Sequence, residues 1–195
     1  MSCETSVVGG GRRGSSVVYE RVQMSRPDGR IGGIDSGVVD AIPLRAHNLL
    51  CLLGFRGEGY SVGFVREMWA VHRSLASNPR QRVLVLDTPD RLCGACPNLR
   101  LGGCTLQGPE HEKHMRSQDR DVLARLGLEA GESYEWVEVL TRIATRVRGA
   151  DLPDVCTTCP WLHLGWCAEG LERLRAETAA AAAATEPAAK EAGAA

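Results

Sequence analysis

The sequence predicts an α+β chain, predominantly α-helical, whose helices are linked by two repeated cysteine loops and joined by at most one small two-stranded element. Three observations carry that class. Apolar residues recur at helical spacing in several stretches, while one run, "RVLVLD" (82–87), has clear strand character. The phrase C-x2-C-P-x-L-x-L-G-x-C occurs twice, as "CGACPNLRLGGC" (93–104) and "CTTCPWLHLGWC" (156–167).

Residues 1–38 are rich in Gly, Ser, Arg and Val without a lasting period, and read as a disordered N-terminal tail in which Cys3 is a stray thiol. "AIPLRA" (41–46) reads as a short strand and "HNLLCLLGF" (47–55) as a short buried helix. The turn-rich "GFRGEGY" follows, and Ser61 then caps a helix with Phe64, Met68, Val71 and Leu75 on one face. After "RVLVLD", the stretch "EHEKHMRSQDRDVLARLGL" reads as a helix burying Met115, Val122, Leu123 and Leu126 and stopping near Gly127. His111 and His114 fall on its polar, solvated side, and His72 reads as a surface residue. "SYEWVEVLTRIATRV" reads as a further helix, capped by Ser133, with Trp136, Val139, Leu140, Ile143 and Val147 inward. "AEGLERLRAE" makes the last helix. The Ala-rich stretch 178–195 has no apolar stripe and carries Pro187 and Gly193; it reads as a disordered C-terminal tail, into which the alanine run can extend the preceding helix. The working domain is therefore assigned to residues 39–177.

Composition narrows the function. A chain of 195 residues is one domain in length, and its formal net charge of −1 offers no general attraction to nucleic acid or an anionic membrane. No run approaches the roughly 20 apolar residues that span a bilayer. The N-terminus has no apolar signal region, so a cytoplasmic location is expected. In a reducing compartment, paired cysteines read as metal or redox ligands and not as disulfides.

The repeated phrase suits that chemistry. A C-x2-C turn brings two sulfurs to one centre, and the third cysteine needs a returning loop. Pro97 and Pro160 fix the backbone after the second cysteine, and Gly102 and Gly165 permit the return. Leu99, Leu101, Leu162 and Leu164 are expected to pack beneath and exclude water. Seven of twelve positions agree between the copies, and "PDRLC" and "PDVC" introduce them, so the two are an internal repeat.

Three thiolates are one short of the four protein ligands that zinc staples and most iron–sulfur clusters use. Cys51 is the remaining cysteine of the ordered region, and His47 stands four residues before it, on the same face of a helix. These two can complete one site each, or crowd one site. Arg100 in the first copy, matched by His163 in the second, reads as a cationic partner for the thiolates. Triplets completed by a distant donor, with Cys-Pro after the pair, favour an iron–sulfur cluster over zinc.

"RAHNLLCLLGFRGEGYS", the first phrase, "LGLEAGESYEW" and the second phrase, in that order, resemble domain-of-unknown-function family 1284, small bacterial and archaeal proteins regarded as iron–sulfur binding. The resemblance spans about residues 42–175. It implies Cys51, Cys93, Cys96, Cys104, Cys156, Cys159 and Cys167 as cluster ligands. Asn48 stands where the family pattern has a second histidine, which puts in question any role needing both.

The leading expectation is a protein that holds iron–sulfur clusters, [4Fe–4S] before [2Fe–2S], for electron transfer or cluster carriage, with His47 as a further metal ligand. Its partner would be a redox or cluster-accepting protein. The alternatives are a zinc-stabilised interaction module and an enzyme using a cluster with an open iron, to which Glu58 of the glycine loop could contribute.

Overall fold

The computed structural model describes residues 41–192. The tail expected over residues 1–38, with Cys3, lies outside them. Strand β1 (Ile42–Arg45) runs parallel to β2 (Arg82–Leu86), and β2 pairs antiparallel with β5 (Ser133–Glu135). Parallel neighbours need a crossover. Helices α1 (Ala46–Gly54) and α2 (Val62–Ser77) supply it. Leu44, Val83 and Val85 are fully buried in the core that also takes Leu49 and Leu52 of α1 and Met68 and Val71 of α2.

The sheet is larger than the sequence suggested. Its third strand is "SYE", where Ser133 was expected to cap a helix. Leu84 pairs with Ser133 and Val83 with Tyr134, so α5 (Trp136–Arg146) starts only after the strand. A separate hairpin, β3 (Leu99–Arg100) with β4 (Gly103–Cys104), closes the first cysteine loop.

The helical faces follow the periodicity. The Ser61 hydroxyl accepts from the Phe64 N–H at 3.1 Å and starts α2, which buries Phe64, Met68, Val71 and Leu75. Helix α4 (His111–Leu126) ends at Gly127, whose φ of 62° only glycine adopts cheaply. Its buried face holds Met115, Val122, Leu123 and Leu126, and also His111, Gln118 and Asp119. His111 is thus buried and stacked on His114 at 5.6 Å, not solvated. His72 is half-buried, edge-on to Trp69.

Two short helices, α3 (Arg91–Gly94) and α6 (Leu152–Val155), introduce the two cysteine phrases. The last helix, α7 (Trp166–Ala192), begins inside the second phrase. It continues to Ala192, so the alanine run extends the helix as the sequence allowed. With no apolar stripe to bury, Ala179 to Ala184 are exposed. Near its start α7 lies against α1 at glycine contacts. A Cβ on Gly54 would stand 2.4 Å from the Cys167 backbone nitrogen.

Candidate metal centre

The returning halves of the two cysteine phrases fold differently. In the first, Asp90 caps α3 by accepting from the Cys93 N–H at 2.8 Å, Cys96 lies in the following turn, and Cys104 sits on β4. The return is made at Gly103, with φ of 112°, and not at Gly102. In the second, Cys156 closes α6, Cys159 follows a turn, and a single 3-10 turn (Leu162–Leu164) leads through Gly165 at φ 71° into α7, which carries Cys167. Asp154, the counterpart of Asp90, is exposed.

All seven cysteines predicted as ligands, together with His47, line one cavity of about 130 Å³. All seven are free thiols. Cys156 is buried and the others are half-buried, their remaining surface facing the cavity. Phe55, Arg56, Glu58, Tyr60, Trp161 and Trp166 also line it. Tyr60 packs on Trp161 at 4.6 Å, and the Arg56 guanidinium lies 5.2 Å over Trp166 while pairing with Glu169.

Water exclusion sets the chemistry of the sulfurs. Burial, then the neighbouring Cys159, pushes the Cys156 thiol up to about 12 and the Cys167 thiol up to about 11. Burial, then Asp90, pushes Cys93 up to about 12. Cys96 is raised by burial against hydrogen bonds from Asn98. Cys51 is raised strongly, first by burial and then by Cys167, Cys156 and Cys159. The Tyr60 hydroxyl is also raised, by burial and by Cys51, Cys159, Cys96 and Cys104, which places it beside sulfurs of both phrases. Thiols held this way stay protonated until something positive displaces the proton. The Gln118 side chain hydrogen-bonds the Cys156 sulfur, as N–H donors do for ligating thiolates.

A buried polar network, not expected from the sequence, ties α1 to the first phrase. Arg45 is 1% exposed and Asp119 fully buried. Arg45 Nε donates to Asp119 at 2.7 Å, and its two terminal nitrogens donate to Glu112 at 3.0 and 3.2 Å. Glu112 also accepts from the Cys104 N–H at 2.8 Å. Gly103 leaves room for this approach, since a Cβ there would sit 2.4 Å from Glu112 Cγ. Asp90 accepts from the Arg45 N–H at 2.7 Å and the Asn48 amide at 2.9 Å as well as from Cys93. Asp119 further accepts from the His47 N–H at 3.0 Å and lies 2.7 Å from His47 Nδ1. Burial alone would raise the Asp119 carboxyl, but the hydrogen bond and charge of His47, with Arg45, hold it below the usual range. Burial would likewise lower Arg45, yet Glu112 and Asp119 raise it.

Three expectations fail. Leu101 is fully exposed at the hairpin tip and shields nothing, while Leu99 and Leu162 are half-buried. Arg100 is spent on the carbonyls of Pro97 and Leu99, and His163 is exposed. The cation beside the first phrase is Arg45, whose charge favours the Cys93 thiolate. Among the described residues no group of three or more His, Cys, Asp or Glu side chains is placed to hold a single metal ion.

The family model described as Protein of unknown function (DUF1284) matches residues 59–165. That span includes Cys93, Cys96, Cys104, Cys156 and Cys159; Cys51 and Cys167 lie outside it. No curated protein and no solved structure matches the chain.

Proposed function

This chain belongs to the family described as Protein of unknown function (DUF1284), whose model covers more than half of it, and we propose that within that family it binds iron–sulfur clusters through Cys51, Cys93, Cys96, Cys104, Cys156, Cys159 and Cys167. One observation carries the reading: seven thiols from three separate parts of the chain, helix α1 and the two cysteine phrases, wall a single cavity. The donor set fits the group. Thiolate sulfur is the standard protein ligand of these clusters. The cavity is larger than one ion needs.

A zinc staple asks instead for four donors on one point, about 2.3 Å from the metal for sulfur. The sulfurs here spread around a space, which favours a group several atoms wide. Such a group supplies one-electron chemistry. The residues of the chain exclude water with Tyr60, Trp161 and Trp166, donate N–H groups to sulfur through Asn98 and Gln118, and fix the first loop through Asp90 and Glu112. The role is electron transfer or cluster carriage, with a redox or cluster-accepting protein as partner. The reducing cytoplasm, where thiols remain available, suits it, and no described helix is long and apolar enough to cross a membrane.

Anaerobic purification followed by metal and sulfide determination tests this. Brown protein with iron and acid-labile sulfide in equal amounts is expected. Colourless protein with stoichiometric zinc would replace the reading with the zinc-stabilised module.

A further inference from the structure

Resting on the cluster reading, we propose that the eight donors divide between the two ends of α1: Cys51 joins Cys156, Cys159 and Cys167, whereas His47, held by Asp119, is the neutral fourth donor beside Cys93, Cys96 and Cys104.

Helix α1 has nine residues, and His47 and Cys51 lie on one face of it, about 6 Å apart along the axis. Its two ends touch different phrases. The first turn is tied to the first phrase at both of that loop's limits. Asp90 joins the Arg45 and Asn48 donors to the Cys93 N–H, and Glu112 joins the Arg45 guanidinium to the Cys104 N–H. The last turn meets the second phrase. A Cβ on Gly54 would stand 2.4 Å from the Cys167 nitrogen, so the backbone carrying Cys51 runs directly against the backbone carrying Cys167.

His47 is built as a ligand and not as a free base. Its Nδ1 faces Asp119 at 2.7 Å, and the same carboxylate oxygen accepts the His47 backbone N–H, so the ring is fixed from two sides. That leaves Nε2 as the ring's remaining donor atom, on a residue that lines the cavity. A carboxylate on the far ring nitrogen is the usual support of a metal-bound imidazole, fixing its tautomer and raising its basicity.

Charge explains why this position is histidine. Glu112 and Asp119 share one cation, Arg45, and Asp90 lies beside them on the Arg45 backbone N–H. A fourth thiolate here would add negative charge to a buried site already in surplus, whereas a neutral imidazole does not. The two centres are therefore unequal. Exchanging thiolate for imidazole raises a cluster's reduction potential, so the centre at the first phrase has the higher potential.

The test uses anaerobic full-length protein and reads composition, magnetic resonance and potential. Wild-type protein should carry about eight irons and eight sulfides for two cubane clusters. Its two reduced centres should differ in potential, and the higher one should show nitrogen hyperfine coupling. His47→Cys should keep the iron content, remove that coupling and lower the potential of that centre alone. Asp119→Asn should shift the same centre and leave the other unmoved. Cys51→Ser should perturb only the other centre. Wild-type clusters without nitrogen coupling, or His47→Cys and Cys51→Ser altering the same centre, would overturn the partition while leaving the cluster reading intact. A wild-type protein free of iron and sulfide would remove the reading on which it rests.

Discussion

A methyl group on Gly170 of α7 would stand 2.1 Å from the carbonyl oxygen of Leu53 on α1. Both atoms belong to backbone or its nearest neighbour, so no side chain can swing aside. The contact, with that of Gly54 against Cys167, sets how close the two helices come and so where Cys167 stands relative to Cys51. Gly170→Ala should therefore cost about 3 kcal/mol through overpacking and reduce metal content at the second phrase. Urea unfolding and a metal count would read both. An unchanged midpoint would show that α7 is free to slide.

The repeat offers an internal control. Asp90 accepts three hydrogen bonds, from Arg45, Asn48 and Cys93, whereas its counterpart Asp154 is exposed. Asp90→Ala should destabilise by roughly 3 kcal/mol, because buried donors lose their acceptor. Asp154→Ala should lie within about 0.5 kcal/mol of wild type. Similar denaturation midpoints for the two variants would contradict this asymmetry.

Arg45 neutralises Asp119 and Glu112 away from water. Arg45→Ala strands those carboxylates and should cost about 4 kcal/mol. The double variant Arg45→Ala with Asp119→Asn should recover part of the loss, since the second change removes an unpaired buried charge. A double variant that is simply additive would mean the pair is not coupled.

The thiols make a pH prediction for the reduced, metal-free chain. Cys93 and Cys156 are raised to about 12 and Cys167 to about 11 by burial first, against 9.0 for an exposed thiol. The folded state therefore binds more protons than the unfolded one between these values. Stability is fully present below about pH 9 and falls as pH rises toward 12. Tyr60 is shifted in the same sense. At neutral pH, metal uptake must instead expel thiol protons, so loading should improve and release acid as pH rises. Denaturation midpoints at pH 7.5 and 10, and proton release on loading in weak buffer, check the two halves. A midpoint that climbs with pH would contradict the first.

Much of the cavity was legible because its donors are periodic and local. The repeat announced six sulfurs, and the i, i+4 spacing of His47 and Cys51 placed two more donors on one helical face. The helical faces of α2, α4 and α5 followed from single-residue spacing. The supporting network was not expected, because its bonds join residues as far as 74 apart in sequence. Two signals pointed to it nonetheless. Arg45 is a charge inside the apolar run "IPLRAHNLL", and Asp119 falls on the stripe that Met115, Val122 and Leu123 define. A charge on a buried face must find a partner. Sequence similarity between the phrases also concealed their divergence, since one return is a hairpin at Gly103 and the other a 3-10 turn at Gly165. That difference exposes Leu101 and leaves Arg100 bonded to its own loop.

Anomalous diffraction at the iron edge, on crystals grown without oxygen, tests the central claim most directly. The account predicts two iron-rich peaks inside the one cavity, one against the sulfurs of Cys51, Cys156, Cys159 and Cys167 and one against those of Cys93, Cys96 and Cys104 with the His47 ring. Signal at the zinc edge in place of iron, or iron outside the cavity, would contradict it.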